Sequence, residues 1–142
     1  NDYQEKKDVE AAFQLKEDAF RKRADSISIA FQTEAQKVQT EAQRIARSNR
    51  KKAEELIGGL QQKQQQLQQQ MQAEQQQLTQ AFQAEIDSVI VNVKGFVKDY
   101  GKANGYNYIL GTSDAAATVM YGDDENDLTQ TILEALNADY KK

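Results

Sequence analysis

The sequence predicts a mainly α-helical protein with a small β part. A long antiparallel helical hairpin, a coiled-coil arm, is followed by a small body made of a β-hairpin and a C-terminal helix. Three observations lead there. Residues 1–100 hold no proline and only three glycines, at 58, 59 and 95, and are rich in the helix formers Ala, Gln, Glu, Lys and Arg. Their apolar residues recur every eleven positions. After Tyr100 the glycines and asparagines become denser and apolar residues alternate instead.

Composition narrows the function before any element is placed. The 142 residues include no Cys, His, Trp or Pro, and 39% are hydrophobic. Without Cys there is no disulfide, thiolate nucleophile or thiolate metal site. Without His the commonest general base and metal ligand is missing. An enzyme is therefore not expected, nor a cofactor or metal. The net charge of −4 argues against a dedicated nucleic-acid binder. No run approaches the roughly 20 apolar residues of a membrane-spanning helix, so stable membrane insertion is not expected. No signal peptide is visible, and the chain opens at Asn1 in what reads as mid-element, so a processed or trimmed chain is expected.

The eleven-residue step runs through both arms. Val9, Phe20, Phe31, Ala42 and Ala53 follow it, as do Ile27 and Val38. In the second half the series are Leu56, Leu67, Leu78, Val89 and Tyr100, and Leu60, Met71, Phe82 and Val93. Eleven residues in three turns is about 3.67 per turn, which favours a straight or slightly right-handed supercoil. A stripe two positions wide needs a partner helix. The simplest role for Phe13, Phe20, Phe31, Leu67, Met71 and Phe82 is the seam between the arms.

A reversal supplies that partner. Arg44, Arg47, Arg50, Lys51 and Lys52 surround Ser48-Asn49, and no large apolar residue falls between Ile45 and Leu56. The tip is placed near 46–50, with Ser48 capping the second helix, which gives arms of roughly 70–80 Å. Gly58-Gly59 is the rival tip, because paired glycines break helices. Leu56 and Leu60 keep the register across it, which makes it a soft point and a candidate hinge. Residues 61 to 83 contain fourteen Gln. Leu67, Met71, Leu78 and Phe82 hold the stripe there, so the tract reads as solvated helix. Its amides add little charge and offer hydrogen bonds to exposed backbone.

Residues 101–142 make the small body. Gly101 and Asn104-Gly105 end the long helix. A strand is expected at about 106–111, with Tyr106, Tyr108 and Leu110 on one face and Ile109 on the other, and a second at about 118–121. Asp127 caps a last helix at about 128–140, with Gln130 at capping-box spacing and Ile132, Leu133, Leu136 and Tyr140 on its apolar face. Two strands and a short helix are too few to stand alone, so they must pack on the base of the long helices, on a further strand or on other subunits. The acids Asp123, Asp124, Glu125 and Asp127 lack the order of a calcium loop, and their nearness to a helix start explains them.

Phe96-Val97-Lys98-Asp99-Tyr100, Gly105 to Leu110, Thr118 to Tyr121, Asp127-Leu128-Thr129 and Leu136-Asn137, set after a helical hairpin, resemble the OmpH/Skp family of periplasmic chaperones for outer-membrane proteins. The resemblance covers nearly the whole chain, and its specific text is residues 96 to 137. It implies a periplasmic homotrimer in which a β-body joins three subunits and three helical arms hang around a cavity. It also implies an ATP-independent holdase whose partners are unfolded outer-membrane β-barrel proteins. The family's strand motif falls on Tyr106, Tyr108, Leu110, Val119 and Tyr121, which would build the oligomerisation body. The family begins with a β-strand before the first long helix, and this sequence opens at about the point where that helix begins, so that strand is not expected within it. Well-known members are strongly basic, whereas seven acids against three Lys follow residue 100 here, so attraction to anionic lipid is not carried over.

In that frame, apolar residues off the seam, Leu15, Ile29 and Ala30, are the candidates for touching client side chains. The basic tip is either a solvated hairpin end or a device that steers acidic clients or touches a membrane surface; it has no aromatic wedge to anchor it. The alternative to a holdase is a structural coiled-coil spacer or adaptor with an oligomerisation cap. A spacer should bury its apolar residues in seams, while a holdase should leave some outside them.

Overall fold

A computed structural model describes residues 2–112, 119 and 121–141. The elements are α1 (Gln4–Ile45), α2 (Arg50–Ala103), a short 3-10 turn (Asp124–Asn126) and α3 (Thr129–Tyr140). The chain divides into two compact units, Phe13–Ala81 and Asn1–Ala12 with Phe82–Lys142.

In the unit Phe13–Ala81 the two long helices run antiparallel. Arg23 pairs with Glu74, and Lys63 with Glu34. The two pairs are eleven residues apart on each helix, in opposite directions, so the ion pairs follow the step of the apolar stripe. Phe20, Ile27, Phe31, Val38, Leu56, Leu60, Leu67, Met71 and Leu78 are half-buried along the seam, and Ala42 and Ala53 are buried. The stripe narrows toward alanine near the tip, and an open groove beside Ala42, Ala46, Ala53 and Ile57 follows from those small side chains.

The chain reverses at 46–49. The Ile45 carbonyl accepts from the Ser48 N–H at 3.0 Å and the Asn49 N–H at 2.7 Å. The cap of α2 is Asn49, not Ser48: Asn49 Oδ1 accepts from the Lys52 N–H at 3.1 Å. Ser48 turns its hydroxyl back to donate to the Ile45 carbonyl instead, closing the end of α1. Gly58-Gly59 lies inside continuous helix. A Cβ at either position would meet nothing within 4 Å, so no close approach requires these glycines.

The other unit has its core at Tyr3, Val89, Ile132 and Leu136, with Val9, Val93, Phe96, Val97, Tyr100, Ile109, Leu128 and Leu133 packed around them. α3 thus lays Ile132 and Leu136 onto the two long helices. Tyr140, expected on the same apolar face, stays largely exposed and meets Tyr3 edge-on at 6.3 Å. Gln130 donates forward to Glu134 at 2.9 Å and completes no capping box. Asp127 still serves the helix start, accepting from the Thr129 N–H at 2.9 Å. Hydrogen bonding from the Thr129 side chain, and then from its N–H, holds the Asp127 carboxyl below the ordinary 3.8.

α2 ends in a Schellman turn. Gly105 takes φ +74°, the Tyr106 N–H donates to the Gly101 carbonyl at 2.9 Å, and the Gly105 N–H to Lys102 at 3.4 Å. The expected β part is corrected here. Residues 106–111 form no strand, and there is no strand among the described residues. The second expected strand falls partly outside them, at 118 and 120; Val119 and Tyr121 are not in a strand. The inside-outside alternation of 106–111 survives without a ladder. Ile109 turns in over Gly101, where a Cβ would come within 3.2 Å of it, while Tyr106, Tyr108 and Leu110 face out. The physical reason is that a strand exists only through a neighbour, and no described segment of the chain lies alongside to pair with it. The Tyr106 ring instead stacks on Tyr100 at 6.4 Å, continuing a stack from Phe96.

Candidate interaction surfaces

Within Phe13–Ala81, α1 carries two large aliphatic side chains outside the seam. Leu15 is 72% and Ile29 65% exposed, and Ala30 is exposed beside Ile29. They fall outside the eleven-residue series that fixes which face meets the partner helix. Exposing aliphatic surface is unfavourable by about 25 cal/mol per Å² relative to burial, so these side chains are free to gain from a contact outside the chain.

At the tip the five cations are not equivalent. Arg44 grips Glu41 with two nitrogens at 2.9 and 2.7 Å, which holds the Glu41 carboxyl below its ordinary range and raises the Arg44 guanidinium. Arg50 donates to Glu54 at 2.8 Å. Arg47, Lys51 and Lys52 are exposed and have no ion-pair partner among the described residues. The tip thus offers three free positive charges rather than five.

In the other unit the exposed residues cluster in sequence after α2. Tyr108 and Tyr121 are each 84% exposed, Leu110 is 68%, and Tyr106 keeps one ring face on Tyr100; Val119 is half-buried. Three aromatic or aliphatic side chains turned outward from residues 106–110 leave a hydrophobic edge uncovered. Ile90 and Val91 on α2 are also exposed, and sequence reasoning passed over them. The signal was available, since the run Val89-Ile90-Val91 contains one seam position and two that the stripe does not use.

The acids before α3 spend their oxygens on backbone: Asp123 Oδ1 accepts from the Glu125 N–H, and Asp127 from Thr129. No group of three or more potential metal ligands occurs among the described residues. No helix among them is long and apolar enough to cross a membrane.

Comparison with known proteins agrees with the motifs at 96 to 137. A family model described as outer membrane protein (OmpH-like) matches residues 1–136, spanning both units. No curated protein and no solved structure matches the chain. With all but the last residues inside the match, this chain belongs to the OmpH-like family, a family of periplasmic chaperones for outer-membrane proteins rather than enzymes.

Proposed function

We propose that the chain is an ATP-independent holdase that keeps unfolded outer-membrane β-barrel proteins from aggregating, enclosed by the helical arms of a periplasmic homotrimer. The observation that carries this is the pair Leu15 and Ile29, large aliphatic side chains held outside the seam and uncovered. A spacer has no use for them. A holdase needs many weak apolar contacts with no fixed geometry, because its clients differ in sequence. Release follows from the client's own folding, which withdraws the apolar surface that the arms cover.

Oligomerisation is assigned to Tyr106, Tyr108, Leu110, Val119 and Tyr121. A segment outside any helix that turns aromatic and aliphatic side chains outward is suited to pack against another copy. Gly58-Gly59 gives α2 a place to bend when a client is bulky, since neither glycine is held by packing. Arg47, Lys51 and Lys52 would meet acidic segments of a client.

Sedimentation velocity tests the reading, with the chain alone and with a urea-unfolded β-barrel membrane protein diluted into it. The expected result is a trimer that sediments with one soluble client. A chain that stays assembled while the client aggregates would favour the spacer.

A further inference from the structure

We propose that the glutamine face of α2, from Gln61 to Gln80, binds the peptide backbone of an unfolded client through side-chain amides. This deepens the holdase reading and rests on it.

Within this stretch the half-buried residues are Leu67, Met71, Glu74 and Leu78, all turned to the seam, and every glutamine is exposed. The tract's two charges, Lys63 and Glu74, are both engaged across the seam, with Glu34 and Arg23. What faces outward over about 30 Å of helix is therefore neutral amide.

These amides are also uncommitted. Four glutamines outside the tract spend themselves locally: Gln4 donates to Asp8, Gln14 to Asp18, Gln83 to Asp87 and Gln130 to Glu134, each four residues on. Between 61 and 80 only Gln70 has an acid at that spacing, and that acid is Glu74, engaged by Arg23. No glutamine side chain from 61 to 80 makes a hydrogen bond among the described residues.

The chemistry fits one kind of partner. A carboxamide carries the donor and acceptor of a peptide bond. A residue in extended chain presents its N–H and C=O on the same edge, so one carboxamide can engage both. An unfolded β-barrel protein has those edges open along its length, because its ladders are not yet formed. Neutral contacts do not select among clients by charge and are not screened by salt. Each is weak, and their repetition along one helix supplies affinity while leaving every contact reversible.

The test is fluorescence anisotropy with a labelled, urea-unfolded β-barrel membrane protein, at 50 and 500 mM NaCl. Variants are Gln65→Ala, Gln69→Ala, Gln72→Ala and Gln76→Ala combined, and a control set on α1, Gln32→Ala, Gln36→Ala, Gln39→Ala and Gln43→Ala combined. Alanine is the better helix former, so both sets keep the fold. The α2 set is expected to weaken affinity about tenfold at both salts, since any salt-sensitive share from Arg47, Lys51 and Lys52 is common to all the proteins, while the control changes little. Equal capture by wild type and the α2 set overturns the proposal and leaves the holdase reading standing. So does equal weakening by both sets, or a loss on the α2 set that is seen at about 50 mM and vanishes at about 500 mM NaCl. No capture by wild type overturns both.

Discussion

Asn137 caps the first helix of the protein from the last. Its side-chain oxygen accepts from the Gln4 N–H at 2.7 Å, and its amide nitrogen donates to the Asp2 carbonyl at 3.2 Å. The first turn of a helix leaves N–H groups without intrahelical partners, and here one is satisfied by a residue 133 positions away. Docking of α3 and the start of α1 are therefore one event. Asn137→Ala is expected to cost about 1 kcal/mol, the usual scale of a lost N-cap. Asn137→Asp, which keeps the acceptor and loses the donor, should fall between. Urea unfolding followed by circular dichroism measures both.

One substitution should change sign with position. Gly58→Ala and Gly59→Ala sit in regular helix with open space around the new methyl, so each should stabilise by about 1 kcal/mol. Gly105→Ala sits at φ +74° and should destabilise by about 1–2 kcal/mol. Thermal melts of the three single variants decide it; a uniform sign would contradict the assigned backbone.

Tyr3 predicts an alkaline weakness. Burial raises its phenol above the ordinary 10.0, and donation to Glu5 at 2.5 Å adds to the shift. Tyr140 shifts the same way through its hydrogen bond to Asp8. A pKa raised in the folded state gives stability that is present below the unfolded value and lost as pH rises from it toward the folded one. The urea midpoint should therefore fall above about pH 10. Tyr3→Phe should lessen that fall, because the ring stays and the ionisation goes.

The off-seam aliphatics separate binding from folding. Leu15→Ser and Ile29→Ser remove exposed side chains that hold no part of the seam, so stability should change by less than about 0.5 kcal/mol. Client capture should weaken several-fold. Aggregation of a urea-diluted β-barrel protein, followed by light scattering, reads the second effect. Loss of stability without loss of protection would reassign both residues to packing.

The long helices were legible because their evidence is local: Phe20, Phe31, Leu67 and Leu78 write the seam at a fixed step within each helix. Tyr106, Tyr108 and Leu110 misled for the opposite reason. Alternation reports two unlike sides, and Ile109 does turn in while its neighbours turn out, but it does not report whether a neighbouring strand exists. The Asn137 cap was not legible at all, since no local pattern links residues at opposite ends of a chain. Ser48 and Asn49 are both good caps in adjacent positions, and only the backbone decided that Ser48 closes one helix while Asn49 opens the next.

The shared step of stripe and ion pairs also governs how such an arm can change length over evolutionary time. An insertion in one helix alone shifts Arg23 away from Glu74 and turns the stripe off its partner. Eleven residues gained in both helices together restore every facing pair and lengthen the arm by about 16 Å. Relatives with longer or shorter arms should therefore differ by paired modules of twenty-two residues, split evenly about the turn at 46–49, and single-sided gains should be confined to the turn itself.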